Sequence, residues 1–131
     1  MQEETNTEIQ TEAVVEVVPE PTYITIDDFK KVEAKIGKVL SAVAVEKSDK
    51  LIKFSIDFGE EAPRQILSAI REWYTEPEKL VGKSMLFCTN LAPRAIRGEE
   101  SNGMLMAVDG LDGAPVFLVA EKDVNTGSSV R

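Results

Sequence analysis

The sequence predicts an all-β fold: a small five-stranded barrel of the OB type with a short helical turn and a C-terminal β extension, preceded by a flexible acidic arm. Three observations lead there. Short apolar runs recur between turns rich in Gly, Pro, Asp and Ser from residue 23 onward. One run, LIKFSIDFG, sets Ile52, Phe54, Ile56 and Phe58 on one face and Leu51, Lys53, Ser55 and Asp57 on the other, the period of a strand. A single helical signal, EPEKLVG, falls between the third and fourth runs, which favours the OB barrel over a sandwich.

The elements follow in order. Residues 1–22 carry Glu3, Glu4, Glu8, Glu12, Glu16 and Glu20 with no Lys or Arg, and end at Pro19 and Pro21, which predicts a flexible arm or linker. The folded domain then spans 23–131. Asp27 or Asp28 is expected to cap a turn near Phe29. VEAKIGKVLSAVAVE alternates Val32, Ala34 and Ile36 as a first strand, with Gly37 marking a bulge or sharp coil. KSDK turns into the second strand, and GEEAPR turns into a third, RQILSAI, with Ile66, Ser68 and Ile70 on one face. Thr75, Pro77 and Glu78 suit the start of the helical turn, and Gly82 suits its stop. SMLFCTNL is the fourth strand and places Cys88 in the core. NGMLMAVDG is the fifth, and VFLVAEKDV adds a further short strand.

Composition narrows the chemistry. Hydrophobic residues make up 43% of the 131, enough for one core, and no run approaches the roughly 18 apolar residues of a membrane span. The opening MQEETNTEIQ has neither a basic nor an apolar signal region, so the cytoplasm is the expected compartment. The chain has no histidine and one cysteine, which removes Ser-His-Asp and Cys-His catalysis, histidine metal sites and a thiolate zinc site. No EF-hand spacing and no Gly-rich phosphate loop is present. No catalytic group, cofactor or metal is therefore expected. Net charge is -8, but the arm holds six of the 23 acidic residues, leaving 17 against 15 basic groups in the body. A near-balanced body binds polyanions only where its cations cluster in space.

Lys35, Lys38, Lys50, Lys53, Arg64, Arg71, Arg94 and Arg97 are the cations that strand faces and strand ends can gather on one surface. The stretch NLAPRAIRGEESNGM stands out. Pro93 stiffens the approach to Arg94, Gly98 permits a tight exit, and two guanidinium forks suit phosphates or exposed bases. Glu99 and Glu100 alongside point to a shaped site. Asn90, Ser101 and Asn102 read equally as groups that bond base edges or as turn caps. Met104 reads as a core residue or as a soft apolar contact for an unstacked base. Trp73 and Tyr74 read first as a pair that closes the barrel or fills an interface, and second as a stacking platform.

Six segments together carry a family resemblance: DDFKKVEAKIGKVLSA, SDKLIKFSIDFG, RQILSAI, YTEPEKLVGK, NLAPRAIRG and SNGMLMA. From about Ile24 to Arg131 the chain resembles the tRNA-binding domain at the C-terminus of bacterial methionyl-tRNA synthetases, in free-standing tRNA-binding proteins and in EMAPII-like cofactors. The resemblance implies an OB barrel, homodimerisation, no catalysis, and tRNA as a partner bound by shape more than by sequence, in cis or in trans to methionyl-tRNA synthetase. The family's NLxPRKxxG segment falls on Asn90, Leu91, Pro93, Arg94 and Gly98. Its SxGM segment falls on Ser101, Gly103 and Met104. Its basic residue in the first strand falls on Lys35, and its turn lysine on Lys50. The expected RNA-facing set is thus Lys35, Lys50, Lys53, Asn90, Arg94, Arg97, Ser101 and Met104. Two departures stand out. The lysine usual after Pro-Arg is Ala95, with Arg97 in position to compensate, and the usual SGI is Ser68-Ala69-Ile70. A sister branch of polypeptide-binding export chaperones shares the fold but lacks the NL and SxGM elements, which ranks a chaperone-like interaction module second.

Overall fold

The computed structural model describes residues 19–131. All but the last four residues of the expected arm, 1–22, lie outside the described residues. Residues 19–25 carry no regular structure, and the domain proper opens with a four-residue helix, α1 (Ile26–Phe29). Thr25 is its N-cap, with Asp28 as the reciprocal partner: Asp28 N–H donates to Thr25 Oγ1 at 3.0 Å, and Thr25 N–H donates to Asp28 Oδ2 at 3.2 Å.

The body is the expected barrel. Strands β1 (Ala34–Ala44), β2 (Ile52–Asp57), β3 (Arg64–Ser68), β4 (Ser84–Cys88) and β7 (Met104–Leu105) form one antiparallel sheet in the order β3-β2-β1-β4-β7. Its inner faces bury Val39, Ile52, Phe54, Ile56, Ile66, Met85 and Phe87 almost completely. Phe58 meets Phe87 edge to face at 5.5 Å. The helical turn Pro77–Leu80 plugs one end with Pro77 and Leu80. Its start differs from expectation: Glu76 holds the cap position without a side-chain hydrogen bond.

The β1 bulge falls between Val39 and Ser41, not at Gly37. Gly37 is required by packing, since a Cβ there would come within 2.5 Å of the Phe58 ring. The outer face of β2 and β3 also departs from simple alternation. Leu51 and Leu67 point away from the main core yet are buried, with Val45, in a second apolar cluster.

The expected fifth strand, NGMLMAVDG, is two pieces. Only Met104–Leu105 pairs with β4. Ala107–Asp109 (β8) instead forms a separate hairpin with Pro115–Phe117 (β9). The segment after β9, expected to continue as a strand, carries no further strand. The Leu86 N–H donates to Leu118 O at 3.0 Å and ties it to β4. Tyr74 stacks on Phe117 at 4.8 Å and donates its hydroxyl to Pro115 O at 2.7 Å, so it closes the structure, while its neighbour Trp73 stays exposed. The C-terminus returns to β1, where Ile36 N–H donates to Ser128 O and Val130 N–H to Ala34 O, both at 2.9 Å.

The seam between β3 and β7 is closed by the short segment before β7. Asn102 N–H donates to Gln65 O at 2.8 Å. The buried Ser101 hydroxyl accepts from Leu67 N–H at 3.0 Å and donates to Gly103 O at 3.2 Å. Gly103, at φ 133, lies so close to Ile66 that a Cβ would come within 2.9 Å of its Cδ1. Ser101→Ala leaves the buried Leu67 N–H without a partner, and unfolding by urea should show a loss of about 1–3 kcal/mol.

Candidate nucleic-acid interface

The stretch expected as a loop is a β-hairpin. Arg94–Ile96 (β5) pairs with Glu99–Ser101 (β6), and Arg97-Gly98 is its two-residue turn. Both turn residues have positive φ, 54° and 80°, as a type I′ hairpin requires. Gly98 adopts this freely. Arg97 does not, since a side chain at positive φ is uncommon outside Asn, Asp and Gly. The tip therefore carries a guanidinium where local propensity favours Asn.

The hairpin is fastened to the barrel along its length. Ile96 packs on Val45, Leu51 and Leu67, which is why those outward residues are buried. The Glu99 carboxylate accepts from Lys53 Nζ at 3.4 Å and from Gln65 Nε2 at 3.2 Å. Gln65 Nε2 also donates to Glu100 O at 2.9 Å. Ser101 ends the hairpin at the seam.

Its entry is held as firmly. The Asn90 side chain accepts from Glu33 N–H at 2.8 Å and donates to Lys31 O at 2.6 Å. Thr89 is buried and donates its hydroxyl to the Glu33 carboxylate at 2.7 Å. Arg64 donates to Thr89 O at 2.6 Å and forks onto Glu60 through bonds of 2.9 and 2.7 Å. The hydrogen bonds from Arg64 hold the Glu60 carboxyl below its ordinary pKa, against a smaller opposing effect of burial. The same pair raises the Arg64 pKa.

The expected RNA-facing residues therefore occupy different situations. Arg94 and Arg97 are exposed and form no ion pair among the described residues, and Lys50 is likewise exposed and without one. Lys53 is half-buried against Glu99, and Lys35 lies 3.8 Å from Glu33. Asn90 and Ser101 have their side chains engaged by backbone of distant segments, Asn90 with Lys31 and Glu33 and Ser101 with Leu67. Met104 is 49% exposed, so it is not core. It lines a groove of about 340 Å³ with Leu67, Leu91, Ala92, Arg94, Ser101 and Gly103. Arg71 and Arg64 are tied to Ser48 O and to Glu60. The sequence reading passed over Gln65, Thr89 and Glu33, which fix the hairpin. Nothing in their local pattern marks them, because their partners lie 25–56 residues away. Among the described residues, no acidic or cysteine group is arranged to hold a metal.

A family model described as "Putative tRNA binding domain" matches residues 34–129. The chain belongs to this tRNA-binding domain family. Residues of the domain are 50% identical to a methionine–tRNA ligase of Stenotrophomonas maltophilia over 111 positions, 85% of this chain and 16% of that protein. The chain thus spans about a sixth of the length of the curated relatives it matches. Among solved structures, a MetRS-related protein from Pyrococcus horikoshii superposes with a TM-score of 0.77 at 34% identity, covering 85% of this chain and all of that one. The chaperone CsaA of Bacillus anthracis superposes at 0.73 with 24% identity over 84% of this chain and all of that one, a likeness of fold. No helix among the described residues is long and apolar enough to cross a membrane.

The Glu60–Arg64 pair braces the hairpin entry, and its pH dependence has a definite sign. A folded-state pKa below the ordinary value means that Glu60 contributes stability at neutral pH and loses it as the carboxylate protonates below about pH 4.5. Thermal melts at falling pH should show wild type losing more stability through that window than Glu60→Gln.

Proposed function

We propose that this domain binds tRNA without catalysing a reaction, using the hairpin Arg94–Ser101 and the cations beside it. The observation that carries the reading is the hairpin: one exposed guanidinium at its base, Arg94, and one at its tip, Arg97, on strands that Glu99, Gln65, Ile96 and Ser101 fasten to the barrel. In an OB barrel the loop between the fourth and fifth strands is one of the two that grip nucleic acid, and this hairpin occupies it. Lys50 lies in the other, between the first and second strands. Arginine forks on a preorganised support bind phosphates with little ordering cost. In this reading Asn90 and Ser101 act by holding the hairpin, Met104 offers apolar contact, and Lys35 and Lys53 supply field. The relatives' names suggest the setting: a domain that raises the local concentration of tRNA near a methionyl-tRNA synthetase, in cis or in trans, in the cytoplasm.

Self-association belongs to the same proposal. An apolar groove of about 260 Å³ is lined by Ile36, Leu86, Leu118, Val119, Val124 and Val130, where the C-terminal segment lies against β1 and β4. Val119, Val124 and Val130 are each about half exposed or more. In this proposal a second copy covers this face.

Two experiments test the proposal. The double variant Arg94→Gln plus Arg97→Asn removes both charges and keeps the positive-φ turn. Binding to unfractionated tRNA should weaken, and the log–log salt slope should fall by about two. Unchanged affinity and slope would remove the hairpin from the interface. Binding of unfolded polypeptide in place of tRNA, with little salt dependence, would favour the chaperone-like reading. Sedimentation velocity should find wild type as a dimer and Val130→Glu as a monomer. A monomeric wild type at micromolar concentration would end the self-association claim.

A further inference from the structure

We propose that the groove between Arg94 and Met104 receives a single unstacked RNA base and holds it by its faces without reading its edge. The inference rests on the tRNA reading above and specifies what the hairpin grips besides phosphate.

The groove, of about 340 Å³, sits at the lower end of the roughly 300–1,000 Å³ range of small-ligand sites, a size for one base and its sugar and too small for a helix. Its apolar walls come from three separate segments: Leu67 on β3, Leu91 and Ala92 before the hairpin, and Met104 on β7. Leu91 and Met104 remain 46% and 49% exposed, and Met104 does so although Leu105 beside it on β7 is buried. Gly103 precedes Met104 at the closest approach to the barrel. A Cβ on Gly103 would come within 2.9 Å of Ile66 Cδ1 and 3.1 Å of Cys88 O, at a φ of 133° that side chains avoid, so only glycine lets the chain pass this close to β3 and β4 immediately before Met104. A thioether is polarizable and contacts aromatic rings favourably.

Charge decides what kind of apolar group fits. Arg94 lines the same groove, is exposed, and has no ion partner among the described residues. A guanidinium at the edge of an apolar slot suits a base whose flanking phosphate it can fork, or whose ring it can stack on. The groove's polar lining argues against edge reading. The Ser101 hydroxyl already accepts from Leu67 N–H and donates to Gly103 O. Ser101 is also only 4% exposed, so among the lining side chains Arg94 is the polar one that reaches an incoming base, and stacking alone tolerates all four. The folded shape of an RNA, through where it extrudes a base, then determines whether the slot is filled.

The test uses the full chain and a short RNA stem-loop with unpaired loop nucleotides, alongside the same stem-loop made abasic in the loop. Met104→Ala removes an exposed side chain and leaves every charge in place. It should weaken binding of the intact stem-loop by roughly two- to tenfold, the range of a sulfur–aromatic contact. The loss should vanish with the abasic loop, and the salt slope should not change. Replacing each loop base by any other should alter wild-type affinity little. Wild-type binding to tRNA with Met104→Ala equal to wild type on the intact loop overturns this inference alone. Equal loss on both RNAs also overturns it, because the effect is then not on a base. Absence of all RNA binding by wild type overturns the tRNA reading and this inference together. Competition by a reduced, carboxymethylated polypeptide that Met104→Ala abolishes, with RNA binding unaffected, would assign the groove to apolar side chains.

Discussion

A barrel of five strands has one seam that its sheet order leaves open, and here that seam lies between β3 and β7. Two-residue β7 is too short to close it by ladder alone. The Ser101 hydroxyl, the Asn102 amide and the bare Cα of Gly103 do so instead, bonding or packing on Leu67, Gln65 and Ile66. Burying a hydroxyl is tolerable only because it is satisfied in both directions. The hairpin ends at this closure, and Met104 and the groove lie beside it.

The same closure explains how a hairpin tip can be both exposed and rigid. Most two-residue hairpins standing off a barrel would sway. This one is held by an apolar contact at Ile96, a carboxylate between Lys53 and Gln65, and a satisfied serine at its end. Its entry is braced through a relay from Glu60 to Arg64 to Thr89 to Glu33. Glu99 therefore has a structural place despite lowering the positive field. An arginine at positive φ at the tip is a local cost that the surrounding bonds sustain, the kind of feature found where a side chain must be presented.

Charge is divided by role in the same way. Arg64 and Arg71 are tied to internal acceptors and act as braces, while Arg94, Arg97 and Lys50 face outward without ion partners among the described residues. The net charge of -8 says little about this surface, because the acidic excess is concentrated in the first 22 residues. What matters to a polyanion is the local arrangement of a few guanidinium and ammonium groups.

Pattern and composition determined the barrel class, the buried face of β2, the helical plug and the family, because period-2 alternation, turn residues and ordered segments are local properties. They also singled out Arg94 and Arg97, since Pro93 and Gly98 frame them. Long-range geometry alone decided the rest. Asn90 and Ser101 read equally as base contacts or as turn caps, and in the structure their side chains bond distant backbone, 34 to 59 residues away. Gly37 looked like a bulge and is instead a clearance for the Phe58 ring. Leu51 and Leu67 lie on the faces opposite the main core and are buried with Val45 under Ile96. Met104 read as core or as an apolar contact for a base, and its half-exposed place beside Arg94 removes the first of these. In each case the deciding contact joins residues far apart in the chain, and local pattern holds no record of which distant group will arrive.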